Sequence, residues 1–238
     1  MSLIQPLPPG PLDIIGDVHG EYDALLSLLA QLGYDQDGQH PAQRHLVFVG
    51  DFVDRGPDSP AVLALARRLM ASGRALAVSG NHEINLLRED PKDGSGWFFD
   101  SRTASDEAKY APFAQPESAA ERQAIADFTA GLPVALERDD LRIVHAAWVE
   151  PQISAVRAMP LGSLRAQYDH WEKVAEAQAR ASQLQARRQA EARLWPHSLE
   201  DARERPPFLP AHSESELNKA VFNPLKVLTT GLERRCTE

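Results

Sequence analysis

The stretch Leu46-Val47-Phe48-Val49-Gly50-Asp51-Phe52-Val53-Asp54-Arg55-Gly56 decides the reading of this chain. Four consecutive apolar residues, β-branched or bulky, read as a strand buried on both faces. Gly50 ends it, and acidic and basic residues follow at once. The same design precedes it at Leu12-Asp13-Ile14-Ile15, then Gly16-Asp17-Val18-His19-Gly20. It recurs at residues 75–78, then Gly80-Asn81-His82-Glu83. A looser copy ends at Val144-His145.

Helical patterns separate these strands. Residues 21–32 carry Leu25, Leu26, Leu28, Leu29 and Leu32 and stop at Gly33. Residues 61–70 are opened by Asp58, Ser59 and Pro60, with proline suited to a first helical turn. Residues 84–87 start a third helix. Alternation of this kind predicts an α/β fold with parallel strands and helical crossovers. Residues 91–117 break the rhythm and read as a loop excursion holding Trp97, Phe98 and Phe99. Residues 118–129 look helical. Residues 134–137 and 141–144 read as a strand pair around Arg138-Asp139-Asp140, and Val227-Leu228 as a further short strand. Residues 163–205, rich in Ala, Gln, Arg and Glu, predict helix. They fit either a solvated surface helix or a cap walling one side of the site.

In open α/β sheets, sites lie beyond the carboxyl ends of strands, so the four turns are expected to converge. Asp17 and His19, two apart, project to the same side of an extended segment and can grip one ion. Asp51 can bridge two ions, Asn81 offers a carbonyl oxygen, and His145 a ring nitrogen. Carboxylate and imidazole together suit Mn, Fe or Zn better than Ca. Two such metals polarise phosphoryl oxygens and lower the pKa of a bridging water. Arg55 can donate two hydrogen bonds to a phosphate. His82 reads as the general acid, oriented by Asp54.

At these residues the chain resembles the calcineurin-like metallophosphoesterases. More narrowly it is similar to the branch containing Ser/Thr protein phosphatases and symmetrical diadenosine tetraphosphate hydrolases. GDVHG, GDFVDRGPDS and GNHE carry the resemblance over residues 16–83, and VHAAW at 144–148 carries it less closely. The resemblance implies a single domain built as a four-layer αββα sandwich. It implies a dimetal centre of Mn or Fe type and hydrolysis of a phosphoester. Metal roles fall to Asp17, His19, Asp51, Asn81 and His145, acid catalysis to His82 and Asp54, and phosphate binding to Arg55. The substrate expected first is a phosphoprotein, with a dinucleoside polyphosphate as the rival. The family's further metal histidine, usually in a Gly-His segment, has no match: His170, His197 and His212 follow no apolar strand. The chain is therefore expected to end before the last strands of the fold. An inactive binding module is the third reading.

Composition bounds the rest. In 238 residues with a formal net charge of −9 there is one cysteine, Cys236. It can form no internal disulfide. Excess acid argues against non-specific nucleic-acid binding. No stretch reaches the ~20 apolar residues of a membrane span, and the N-terminus does not read as a signal peptide. The chain reads as cytoplasmic.

Overall fold

The computed structural model describes residues 1–197 and 204–232. In chain order the first half runs β1 (Ile4–Pro6), β2 (Leu12–Ile15), α1 (Tyr22–Leu32), β3 (His45–Phe48), α2 (Ser59–Ala71), β4 (Ala75–Ala77) and α3 (Asn81–Leu87). The second half runs α4 (Asp100–Tyr110), α5 (Ala119–Ala130), β5 (Ala135–Arg138), β6 (Leu141–Val144), α6 (Glu150–Val156), α7 (Leu164–Ala181), α8 (Leu184–Leu194), α9 (Pro210–Phe222) and α10 (Pro224–Thr230).

The strands form two three-stranded sheets. In the first, β3 lies between β2 and β4 and all three are parallel. In the second, β5 pairs in parallel with β1 and antiparallel with β6. The pleat distributes each strand between two cores. On β3, Leu46 and Phe48 pack with Leu25, Leu29, Val62 and Leu69 of the first two helices. Val47, between them, turns the other way and meets Leu7, Leu136 and Ile143 from the second sheet. Ile4 and Ala135 face outward from that sheet onto Ile153, Leu164 and Leu228. Helices, sheet, sheet and helices thus make four layers, as the αββα expectation had it. Each fully buried side chain of this kind contributes roughly 1.5–3 kcal/mol.

Two expectations are corrected. Val227 and Leu228 belong to a helix. Asn223 caps it by accepting from Leu225 N and Lys226 N at 3.1 and 3.3 Å, and Pro224 opens it. Asparagine followed by proline is a helix start that outweighs two β-prone residues. The 91–117 excursion holds α4, and Trp97, 1% exposed, is part of the first core. Residues 163–205 include two helices, as their composition predicts, with a break at Gln183 (φ 56°). The first buries Leu164, Tyr168 and Ala175, so one of its faces is core. Residues 198–203 of that segment, and Cys236, lie outside the described residues. Among the described residues no helix is long and apolar enough to cross a membrane.

Candidate active site

The turns after β2, β3 and β4 are tied to one another before any side chain of chemical interest is placed. Val18 N and His19 N donate to Asp51 O at 3.0 and 2.9 Å, and Gly20 N to Phe52 O at 2.8 Å. Glu83, with no exposed surface, sits on the third residue of α3. Its carboxylate accepts from Gly80 N, Asp51 N and Phe52 N, each at 2.9 Å. The turns also approach so closely that a Cβ on Gly80 would overlap Asp51 Oδ1. This network holds four non-glycine residues in the left-handed region: His19 (φ 45°), Asp51 (49°), Asp54 (73°) and Arg55 (71°). Such conformations cost of order 1–3 kcal/mol each and persist only where the surroundings enforce them.

Around Asp51 Oδ2 stand three imidazole nitrogens: His145 Nε2 at 3.4 Å, His19 Nε2 at 3.9 Å and His82 Nε2 at 3.9 Å. Asp17 Oδ2 is 4.0 Å from His19 Nε2, and Asp17 Oδ1 is 4.0 Å from the His145 ring. These separations are too long for hydrogen bonds. They are near the spacing of about 3–3.5 Å between two ligands that each stand ~2.1 Å from one cation. The ligand atoms form two groups, each within 4.8 Å: His19, Asp51 and His82, and Asp17, Asp51 and His145. Asp51 belongs to both.

The outer hydrogen bonds set the tautomers. His19 Nδ1 lies 2.8 Å from Val53 O and His145 Nδ1 2.7 Å from Val49 O. Carbonyl oxygens accept only, so each Nδ1 carries a proton and each Nε2 faces the site, where the neutral ring presents a lone pair. His82 differs. Its Nδ1 lies 2.6 Å from Asp54 Oδ2, a carboxylate rather than a carbonyl. The other oxygen of Asp54 accepts from Trp97 Nε1 at 2.6 Å, and Ser59 Oγ accepts from Asp54 N at 3.0 Å. Arg55 faces the site from the solvent side, its guanidinium 3.1 Å from His19 Nε2 and 3.3 Å from His82 Nε2.

Charge follows this geometry. Burial alone would lower the pKa of His82, but the Asp54 hydrogen bond and the Asp51 charge hold it above the usual imidazole range. Burial likewise opposes protonation of His145, yet contact with Asp51 lifts it to about 9. Burial would raise Asp51; His145 and His82 keep it low. Glu83 is pushed up to about 7, chiefly by burial and then by the Asp51 charge, against its three backbone donors. Buried acid and paired imidazoles of this kind call for a positive charge at the centre.

The structure therefore brings together Asp17, His19, Asp51, Asp54, Arg55, His82 and His145. Asn81, half-buried, opens α3 beside His82 and lines a neighbouring cavity. His170, His197 and His212 belong to neither ligand group among the described residues. Two residues escaped the sequence reading. Glu83 had a signal, a glutamate at the third position of a legible helix start. Trp97 had none, because its partner lies 43 residues away. The turn at His145 is anchored from late in the chain: Ala146 N donates to Leu228 O at 2.9 Å.

Comparison with known proteins agrees with this geometry. The family model for calcineurin-like phosphoesterases matches residues 10–212. The chain belongs to that family. The asymmetrical bis(5'-nucleosyl)-tetraphosphatase PrpE of Halalkalibacterium halodurans is 47% identical over 79 residues, 32% of each chain. The symmetrical bis(5'-nucleosyl)-tetraphosphatase of Serratia proteamaculans is 45% identical over 87 residues, 34% of this chain and 28% of that one. The chain thus spans about a third of the length of the curated relatives it matches. Among solved structures, a protein serine/threonine phosphatase from Saccharomyces cerevisiae aligns with 62% of this chain and 42% of its own, at 23% identity and a TM-score of 0.43. A cold-active protein-tyrosine phosphatase of a psychrophilic Shewanella species aligns with 63% and 47%, at 23% identity and 0.42. Likeness of that depth assigns nothing to this chain.

Proposed function

We propose that the chain hydrolyses a phosphoester at a two-cation centre and that its substrate is a dinucleoside polyphosphate. The observation that carries the first part is Asp51, common to two ligand groups whose lone pairs face inward. Asp17, His19 and Asp51 would hold one cation and Asp51, Asn81 and His145 the other, with Asp17 and His19 each also within 4.0 Å of a neighbouring ligand atom of the pair. For this carboxylate, amide and imidazole set Mn is the first choice, with Fe or Zn next. Such cations supply Lewis acidity toward a phosphoryl oxygen and an activated water.

The chain's own residues do the rest. Arg55 offers two N–H groups in a fork that matches phosphoryl oxygens. His82 gives the leaving oxygen its proton from Nε2, because Asp54 accepts from Nδ1 and stabilises the protonated ring. Asp54 keeps one rotamer because Trp97 binds its second oxygen.

The relatives' names reverse the order of substrates set from the sequence. Both tetraphosphatases named above are 45% or more identical to this chain, over 79 and 87 residues. The single cysteine supports a cytoplasmic setting.

Two measurements test the proposal. Diadenosine tetraphosphate incubated with the Mn-loaded protein should yield nucleotides faster than a phosphoserine peptide yields phosphate; the reverse order returns the phosphoprotein reading. Two molecules of ADP would mark symmetrical cleavage, ATP with AMP asymmetrical cleavage. His82→Asn should lower turnover about 10²–10⁴-fold while the cations stay bound. Unchanged turnover removes His82 from the chemistry.

A further inference from the structure

Beside Asn81 lies a cavity of about 460 Å³, walled by α3, α7, α9 and α10. Its charges come largely in matched pairs. Lys226 and Lys219 reach Glu216 at 2.7 and 3.0 Å, Lys92 reaches Asp90 at 3.0 Å, and Arg88 donates to Asp169 at 2.7 Å. The remaining charge, Glu172, is negative and accepts from Asn223 Nδ2 at 3.4 Å. Such a wall offers no free cation to a phosphate or an acidic peptide.

What it does offer is hydrogen bonding. The side chains of Asn85, Tyr168, His212 and Thr230 line the cavity and have no hydrogen-bond partner among the described residues. Tyr168 is the sharpest case. It is 8% exposed, packed in the outer core, with the Arg88 guanidinium 4.6 Å over its ring. Its ring is packed, but its hydroxyl is not among the buried atoms left without a partner, so solvent reaches it and a ligand can replace that solvent. Amide, phenol, imidazole and hydroxyl, brought together from four helices, fit an uncharged ligand rich in donors and acceptors. They do not fit an apolar one.

We propose that this cavity receives one nucleoside of the substrate, base and ribose, with Asn85, Tyr168 and His212 as its hydrogen-bonding partners. The proposal rests on the dinucleotide reading above and adds where the nucleoside sits. Asn81 lines the cavity and opens the helix that carries His82, so the cavity lies beside the proposed cation site. The first helix of the 163–205 segment then walls the site through Tyr168 and Glu172.

The test compares two substrates and one bare ligand. Tyr168→Phe and His212→Ala should each raise KM for diadenosine tetraphosphate about fivefold, the loss of one net hydrogen bond. Both should leave kcat/KM for para-nitrophenyl phosphate unchanged. Saturation-transfer NMR on the full chain with adenosine alone should show binding, weakened in the double variant. Equal losses on both substrates, or no loss on either, would overturn the nucleoside site. If the wild type hydrolyses para-nitrophenyl phosphate but not the dinucleotide, the substrate reading fails, and adenosine then decides the cavity by itself. Its binding, weakened in the double variant, keeps the site; its absence overturns it.

Discussion

The turns after β2, β3 and β4 and the helical layer from α6 to α10 treat their polar groups in opposite ways. In the turns the buried groups are committed. Glu83 accepts from three backbone N–H groups, both oxygens of Asp54 are taken, and the Nδ1 atoms of His19, His82 and His145 all have partners. The inward-facing ring nitrogens of His19 and His82 meet the Arg55 guanidinium alone among hydrogen-bonding groups of the described residues. The helical layer spends its charges on one another and leaves neutral groups open toward a cavity. Chemistry on phosphorus requires groups held in place before the substrate arrives. Recognition of a nucleoside requires groups whose partner is the substrate.

Breaking the turns should have the largest effect. Asp51→Asn removes the one residue common to both ligand groups. Bound Mn, read by elemental analysis after dialysis, should fall to near zero. Turnover of para-nitrophenyl phosphate should drop by more than about 1,000-fold, beyond the roughly 10–100-fold typical when only a ligand's hydrogen-bond partner is lost. Retention of both cations would dissolve the contrast drawn above.

Trp97→Phe keeps the aromatic packing and deletes one N–H. Asp54 Oδ1, in a residue 3% exposed, would then be buried without a partner. A stability loss of roughly 1–3 kcal/mol follows in denaturant unfolding. Turnover should fall up to about tenfold for alkyl phosphates, whose leaving oxygen needs a proton, and little for para-nitrophenyl phosphate, whose leaving group does not. Equal losses on both substrates would reduce Trp97 to packing.

The helical layer should respond in stability rather than chemistry. Burial would raise the pKa of Glu216, but Lys226 and Lys219 pull it down to about 2 from an ordinary value of 4.5. A depressed acid stabilises the fold fully above its unfolded pKa and loses that contribution as pH falls toward its folded one. Glu216→Gln should therefore cost of order 2–3 kcal/mol at pH 7, less at pH 3, and nothing in cation content. A cost that is constant between those pH values would show that the charge pairs do not stabilise the layer.

Legibility from the sequence follows the same division. The first sheet was readable because each strand is a short apolar run cut by glycine and followed by a ligand, a pattern local to about ten residues. Asp17, His19, Asp51, Asp54, Arg55 and His82 could be gathered because strand ends of one sheet lie side by side, and His145 because it ends a strand of the facing sheet. β1 was not legible: it is three residues long and ends in Pro6, and only its pairing with Ala135, Leu136 and Glu137 makes it a strand. α10 was misread because Val and Leu say little in a run so short, while Asn223-Pro224 says more. Trp97 was placed only in a loop excursion, and nothing local to it announces that its indole is spent on Asp54. The groups around the cavity carry no motif, since their meaning lies in partners they lack.

One tether crosses between the two regions. Through the bond from Ala146 to Leu228, the turn at His145 is tied to the last described helix, which buries its own Leu225, Val227 and Leu228. A donor read from residue 145 is thus fastened by a segment synthesised some eighty residues later. A nascent chain that has completed every strand in the structure still lacks the fastening of its last imidazole.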